Sequence, residues 1–170
     1  GLVAHYPFDL KSAVDISPNK NHGKIIGTVR TAQNRAEEDD RAFSFNVSSD
    51  ADKENLPKGY IQVDNTAAFD DIKNATYSVW VNINDWYKQT DGTSWFSIFS
   101  QSDNYSIGNI NLELDKKGIV NCNLNGYSAQ IYNKFDLNKW YHIVVTVNDR
   151  LFKLYVDGTL ISQSYGHYAS

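Results

Sequence analysis

Apolar and polar residues alternate regularly through the C-terminal part of the chain. Within residues 140–160, apolar side chains occupy every second position on either side of a break at Asn148-Asp149: Ile143, Val145, Val147, Phe152, Leu154 and Val156. Period-two alternation predicts strands with one buried and one exposed face. Asp157-Gly158 favours the tight turn that joins antiparallel strands. The segment therefore predicts a β-hairpin followed by a further turn and strand.

The same reading predicts short strands along the whole chain and no helix of three turns or more. The predicted strands are 2–8, 24–31, 42–45, 60–63, 77–83, 95–100, 110–114, 119–123, 129–132, 140–147, 151–156 and 159–163. Many closely spaced strands separated by turn residues indicate an all-β antiparallel sandwich or jelly roll. The length of 170 residues fits a single domain spanning residues 1–170.

Composition narrows the classes of partner. The net charge of −4 and the lack of a Lys/Arg stripe argue against nucleic acid. No apolar run approaches the roughly 20 residues that a membrane-spanning helix needs, which argues against membrane insertion. The single cysteine, Cys122, lies in an alternating strand and is expected to be a small buried residue.

Four segments resemble the laminin-G-like and pentraxin-like jelly rolls of the concanavalin A-like lectin/glucanase superfamily. They are residues 2–9 with the loop 15–23 (DISPNKNHG), 41–45 with 60–63, 76–81 (TYSVWV), and 140–160. The resemblance implies two antiparallel sheets packed face to face, and a recognition module that is secreted or displayed on a cell surface. Relatives continue beyond the last hairpin, so the sandwich is expected to lack its C-terminal closing strands or to receive them from another segment.

Oxygen-rich loops are candidate calcium sites. The opening loop offers Asp9, Asp15 and Asn21, together with Asn19 and backbone carbonyls, and Ca²⁺ takes six to eight such oxygen ligands. The resemblance implies a structural calcium there. The alternative is that Asp15 and Asn21 cap turns. The pair Asp103-Asn104 resembles a calcium-binding pair of pentraxins, although a turn is the favoured interpretation because the matching acidic loop is absent from this sequence.

Aromatic residues beside polar loops are candidate sugar-binding groups. Sugars stack C–H faces on aromatic rings and exchange hydrogen bonds with amides and carboxylates. The predicted ligand-binding residues are Trp86, Tyr87, Asp91, Trp95, Asn125 and Tyr127. The alternative is that Trp86 and Trp95 pack beneath their loop. Trp80 and Trp140 are expected to belong to the core framework. The alternative for Trp80 is that it reaches the concave side of the sheet, because it faces opposite to Val79 and Val81.

Catalysis finds little support in the residue pattern. Glucanases on this scaffold place acidic residues at alternate positions of one strand. Here Glu113-Leu-Asp115 is followed by Lys117 in the third position, and Asp115 is expected in a turn. The sequence therefore predicts a non-catalytic carbohydrate-binding module, with a protein-interaction, adhesion or structural accessory domain as the alternative. Expected partners are a glycan or an extracellular protein, with a neighbouring enzyme or adhesin domain in the same polypeptide. The expected location is extracellular or on the cell surface, which in a bacterium means the periplasm or outer surface.

Overall fold

The structure, a computed structural model, describes residues 1–45, 59–64, 73–86, 95–101, 110–115, 117–124 and 127–168. Its backbone forms two units, Gly1–Phe69 and Asp70–Ser170. Within the described ranges the regular elements are strands and one 3₁₀ helix, Asp9–Lys11. The all-β prediction is confirmed, whereas a single domain spanning residues 1–170 stays a prediction.

The N-terminal unit contains two small antiparallel pairs. β1 (Gly23–Ile26) pairs with β4 (Tyr60–Val63), and β2 (Arg30–Ala32) pairs with β3 (Ala42–Ser44). The strand predicted over residues 24–31 is interrupted at Gly27, whose φ is 70°.

The prediction of a strand over residues 2–8 was wrong. Its backbone groups bond to a neighbouring loop instead of a second strand: the amide N–H of His5 donates to the Asp15 carboxylate, and the carbonyl of Val3 accepts from the side-chain amide of Asn21. The chain then turns sharply at Phe8, which has a φ of 57°. Alternating apolar residues satisfied the pattern for a strand, but the hydrogen bonds run to the side chains of Asp15 and Asn21 and to the backbone N–H of Ile16, which donates to the carbonyl of His5.

The C-terminal unit is a sandwich of two antiparallel sheets. Its strands are β5 (Asn74–Asn82), β6 (Trp95–Gln101), β7 (Ile110–Asp115), β8 (Ile119–Leu124), β9 (Tyr127–Tyr132), β10 (Trp140–Asn148), β11 (Leu151–Val156), β12 (Thr159–Tyr165) and β13 (His167–Tyr168). One sheet has four strands in the order β12-β11-β10-β5, and the other has five in the order β13-β9-β8-β7-β6.

The core lies between these two sheets. Inward-facing residues of both sheets form one apolar cluster, in which the fully buried side chains include Leu114, Val120, Leu124, Ile131, Ile143, Val145, Phe152 and Leu154. The inward positions alternate strictly along β8, β10 and β11, as the sequence pattern predicted. Because successive strand residues face opposite ways, this burial also fixes which residues face outward.

The predicted turn at Asp157-Gly158 is confirmed. Both residues have positive φ, 50° and 81°, and the amide N–H of Asp157 donates to the carbonyl of His142. Two positive φ values in a two-residue connection match the right-handed twist of the flanking strands.

Gly166 is the point at which the chain passes from the four-stranded to the five-stranded sheet. A Cβ atom built there would lie 2.6 Å from the ring of Phe152 and 3.1 Å from Cβ of Tyr127. The Gly166 amide N–H donates to the carbonyl of Arg150 at 2.7 Å. The crossing therefore requires a residue without a side chain.

The expectation that Trp80 belongs to the core was wrong, and the alternative orientation, opposite to Val79 and Val81, is the one observed. Its side chain is 43% exposed on the outer face of the four-stranded sheet. The indole stacks on the imidazole of His142, directly opposite on β10, with centroids 4.8 Å apart and planes at 14°. The neighbouring residues Val79 and Val81 pack against the core instead.

Substituting Gly166 with alanine should destabilise the sandwich by about 1–3 kcal/mol, since the added methyl group overlaps the Phe152 ring. Urea denaturation followed by fluorescence would measure this loss. The control Gln163→Ala, at an exposed position of β12, should stay within about 0.5 kcal/mol of the wild type. A Gly166→Ala protein as stable as the control would contradict the close approach.

Cys122 should be unreactive in the folded protein. Its side chain is buried in the core, and burial raises the pKa of the thiol to about 12. Since the thiolate is the reacting species, a thiol reagent at pH 8 should modify Cys122 only after denaturant is added. Modification of the native protein at the rate of a free thiol would show that this part of the core is open.

Candidate functional site

The outer face of the five-stranded sheet is lined by amides, hydroxyls and one carboxylate. The accessible polar side chains among its described outward residues are Ser97, Ser100, Asn111, Glu113, Asn121, Asn123, Ser128, Gln130 and His167, a set termed here the polar face. Ile119 and Tyr132 also face outward, at the margin of this set. Apart from His167, each residue of the polar face is followed or preceded along its strand by a residue that packs in the core. The whole set lies within the C-terminal unit.

Strand register arranges the polar face in two rows that run across the sheet. The first row is Ser97, Glu113, Asn121 and Gln130, and the second is Ser100, Asn111, Asn123, Ser128 and His167. Neighbouring strands lie about 4.8 Å apart, and the rows, two residues apart, are separated by about 6.7 Å. The rows therefore form a grid of hydrogen-bonding groups.

Asparagine is an unusual choice for the middle of a sheet. Asn111, Asn121 and Asn123 lie on the adjacent strands β7 and β8, which are flanked on both sides by other strands. Asn is depleted in strands because its side chain competes for backbone hydrogen bonds. On the outer face of the other sheet the asparagines Asn74 and Asn148 pair at the strand ends, whereas an interior position pairs Thr76 with Thr146. Residues that disfavour their own strands point to a function other than folding.

Two side-chain hydrogen bonds orient the polar face. The amide Nδ2 of Asn121 donates to Oε2 of Glu113 at 3.3 Å, and Oγ of Ser97 donates to Oδ1 of Asn111 at 3.4 Å. Both bonds are long and therefore weak. Each amide and carboxylate has capacity for further bonds, so the groups are held in place while remaining able to accept a ligand.

Tyr132 adds an aromatic surface at the margin of the grid. It follows Gln130 at the next outward position of β9, lies opposite Ile119, and is 61% exposed. An exposed phenol ring beside hydrogen-bonding groups is the arrangement that accommodates a sugar, whose C–H face stacks while its hydroxyls bond. The combination was missed in the sequence, although alternate polar residues in NLE, NCN and SAQ were its signal.

Two of the aromatic residues singled out in the sequence, Trp86 and Tyr127, pack against the core. Trp86 packs against the core, with its ring centroid 5.4 Å from that of Phe96. This placement matches the packing alternative for Trp86. Tyr127 also packs against the core at the start of β9, and the backbone of Trp95 pairs with Asp115 at the start of β6. The other predicted ligand-binding residues, Tyr87, Asp91 and Asn125, lie outside the described residues.

The Asp15 carboxylate is fully buried and saturated with hydrogen bonds. Its Oδ1 accepts the backbone N–H groups of His5 and Ser17, both at 2.8 Å. Its Oδ2 accepts the Ser17 hydroxyl at 2.7 Å and the Asn21 backbone N–H at 2.8 Å. These donors approach on the sides where a cation would have to bind, so the geometry matches the turn-capping alternative.

The side chains of the remaining candidate calcium ligands have partners other than Asp15. Asp9 forms an ion pair with Arg41, with Oδ2 2.9 Å from Nη1, and the side-chain amide of Asn21 donates to the carbonyl of Val3. No group of three or more His, Cys, Asp or Glu side chains that could hold a metal occurs in the described ranges. Calcium binding at Asp9, Asp15 and Asn21 stays a prediction, and Asp103-Asn104 lies outside the described residues.

The hydrogen bonds to Asp15 stabilise its charge. Burial raises the pKa of the Asp15 carboxyl, but the bonds from His5, Ser17 and Asn21 outweigh this effect and hold its pKa well below the ordinary range. Nearby, burial, with a smaller contribution from the Asp15 charge, raises the pKa of Tyr6 to about 12. The Tyr6 hydroxyl therefore stays protonated and donates to the carbonyl of Asn21.

Comparison with known proteins relates the sequence to one large superfamily. A family model described as concanavalin A-like lectin/glucanases superfamily matches residues 54–169, about two thirds of the chain. A comparison with curated protein sequences gives no match.

The described part of the chain contains no apolar helix of the length that a membrane-spanning segment needs.

Two solved structures are similar over 96% of the chain, each at 17% identity. The binding domain of botulinum neurotoxin DC, in complex with rat synaptotagmin II, has a TM-score of 0.68 over 39% of its chain. Domain 4 of AbnA, a GH43 extracellular arabinanase from Geobacillus stearothermophilus in complex with arabinotriose, has a TM-score of 0.63 over 75% of its chain. The protein thus spans about two fifths of the neurotoxin chain. At this identity the likeness establishes a shared fold.

Replacing Asp15 with asparagine should destabilise the protein at neutral pH and flatten its acid response. A lowered native pKa means that the unfolded state, with a carboxyl pKa of about 3.9, binds more protons as the pH falls below about 5. Wild-type stability should therefore drop on acidification in this window. Asp15→Asn should lower the melting temperature at pH 7 by about 5 °C and lose less between pH 5 and pH 3.

Melting curves at pH 7, 5, 4 and 3 test this expectation. The control Asp149→Asn removes an exposed carboxylate and should keep the wild-type slope. An Asp15→Asn protein with the wild-type melting temperature at every pH would refute a stabilising role for the buried charge.

Proposed function

Because the chain belongs to the concanavalin A-like lectin/glucanases superfamily, we propose that it is a non-catalytic module that binds carbohydrate on the polar face. The observation that carries the proposal is the grid of amides, hydroxyls and a carboxylate in register across five strands. Sugar hydroxyls are both donors and acceptors, and side-chain amides match them in both roles. Tyr132 supplies the stacking surface beside the grid.

The arrangement of carboxylates supports binding without hydrolysis. Most glycosidases use two carboxyl groups that flank the bond to be cleaved. Among the described residues of the polar face, Glu113 is the one carboxylate. The neighbouring Asp115 is buried, and its Oδ1 accepts the backbone N–H groups of Lys117 and Ile119 at 2.8 Å, as expected for a turn residue. Asp115 is therefore committed to the β7–β8 turn.

The two similar solved structures support a role in ligand binding, and they were solved with two different kinds of partner. Domain 4 of AbnA was solved with arabinotriose, and the neurotoxin domain with a protein, synaptotagmin II. The name of the former describes an extracellular enzyme, in keeping with the proposal that the present chain acts outside the cell. In such a setting the module would hold a neighbouring enzyme or adhesin at a polymer surface.

Protein recognition is the second candidate function, and a different surface favours it. The outer face of the four-stranded sheet and its margin expose large apolar side chains, between 41% and 64%: Trp80, Leu160, Ile161 and Tyr165. Exposed apolar groups on one surface are typical of protein interaction sites. The two candidates thus place binding on opposite faces of the sandwich, which makes them separable by mutation.

Paired substitutions on the two faces test the proposal. Tyr132→Ala and Gln130→Ala alter the polar face, whereas Tyr165→Ala and Gln163→Ala remove the same residue types from exposed positions of the other sheet. Each polar-face variant should weaken binding to a glycan identified on an array by about three- to tenfold, which corresponds to the loss of a stacking contact or hydrogen bond. The β12 variants should bind like the wild type.

Isothermal titration calorimetry with arabino-oligosaccharides and with the array hits measures these affinities. Weakening by the β12 variants alone would move the site to the four-stranded sheet. A folded wild type that binds no glycan would overturn the carbohydrate proposal in favour of protein recognition.

A further inference from the structure

The polar face is almost free of positive charge. Among the described outward residues of its two rows there is no lysine or arginine, and His167, at the far end of the second row, is the one side chain able to become cationic. Lys117 lies outside the rows, in the turn between β7 and β8. A surface that bound acidic sugars would need cationic groups to pair with carboxylates or sulfates.

Glu113 places a negative charge within this surface. It lies on β7, with Ser97 opposite on β6 and Asn121 opposite on β8. The carboxylate is half-buried and accepts one bond from Asn121. An ionised carboxylate has about four acceptor positions, so others can accept sugar hydroxyls. Two oxygens held side by side suit a pair of neighbouring hydroxyls.

A fixed carboxylate on such a surface has opposite effects on neutral and acidic ligands. A hydroxyl donor gains a charge-assisted bond, which is stronger than a bond between neutral groups. A ligand carboxylate or sulfate placed beside Glu113 meets a like charge, and no cation of the described rows lies beside it to compensate. The buried carboxylate of Asp115, two residues further along β7, adds to the negative potential.

We infer that the polar face selects uncharged polysaccharides, and that Glu113 both holds the sugar hydroxyls and rejects acidic sugars. This inference rests on the proposed function and deepens it by naming the ligand class. Glu113 thereby acts as a specificity-determining residue. The selection depends on placement of the charge within the site, since the net charge of the chain is small.

Affinity electrophoresis and calorimetry with two classes of polymer test the inference. The neutral probes are arabinan, xylan and mixed-linkage glucan, and the acidic probes are polygalacturonate and dextran sulfate. The wild type should bind at least one neutral polymer at least about tenfold more tightly than either acidic polymer at 50 mM salt. Neutral binding should change less than about twofold between 50 and 500 mM salt, because no counterion pairing is involved.

Removing the charge should narrow the selection. Glu113→Gln keeps the shape and one acceptor oxygen, and should weaken neutral binding by about three- to tenfold while raising affinity for the acidic polymers. Asp149→Asn removes an equal charge from the β10–β11 turn and should leave both affinities unchanged. Thermal melts of both variants confirm that each is folded.

The possible results separate the inference from the function on which it rests. Equal or tighter binding of acidic polymers by the wild type would overturn the charge selection while leaving carbohydrate binding intact. An unchanged preference in Glu113→Gln would likewise overturn the role of Glu113. A folded wild type that binds neither class would overturn both the selection and the proposed function.

Discussion

The packing of the apolar faces of two sheets against each other determines the strand register of the C-terminal unit and the residues that face outward. Ile143, Val145, Phe152 and Leu154 enter the core from one sheet, and Val120, Leu124 and Ile131 enter it from the other. A shift of one residue in any strand would expose these side chains and bury polar ones, so the register is strongly specified. Because side chains alternate between the two faces of a strand, this register also determines which residues lie on each outer face. The position of every residue of the polar face therefore depends on the packing of the core.

Irregularities occur where this alternation has to change. The pairing of β6 with β7 shifts between Ser97 and Phe99, and the intervening Ile98 joins Phe99 in packing against the core. The bulge thus brings two consecutive apolar side chains to the interior while keeping Ser97 in the outer row. A second shift, between Leu154 and Tyr155, lies in the pairing of β11 with β12. Bulges of this kind re-aim side chains without ending the sheet.

The N-terminal unit relies on a different device. Its two strand pairs are short, and the loop around Asp15 is organised by a buried carboxylate that accepts four hydrogen bonds from backbone and side-chain donors. A buried charge is tolerated because each carboxylate oxygen accepts two hydrogen bonds. Oxygen-rich sequence in such a loop is consequently ambiguous: the same residues suit a metal ion or a set of N–H groups.

Sequence patterns predicted the strands well but did not reveal the polar face, for physical reasons. β4 and β11 occur at the predicted bounds, and β10 differs by one residue, because alternation reports burial directly. The segment 2–8 misled because its pattern suited a strand, while no strand of the described part of the chain pairs with it. Trp86 drew attention as an aromatic beside a polar loop, yet its ring packs on Phe96. Asn121 and Glu113 were inconspicuous, since only the pairing of separate strands brings them together.

Inward residues stabilise the sandwich and outward residues form its surface, which affects how the sequence of this fold can change. Each group of the polar face stands on a strand whose neighbours in sequence are anchored in the interior, so single outward residues can be exchanged while the scaffold persists. Asn123 and Ser128, for example, lie opposite each other on the adjacent strands β8 and β9, and neither belongs to the apolar cluster. Duplicated copies of such a domain could therefore acquire different ligand specificities through a few substitutions on the surface. For the same reason the sheet is a suitable scaffold for designed binding proteins.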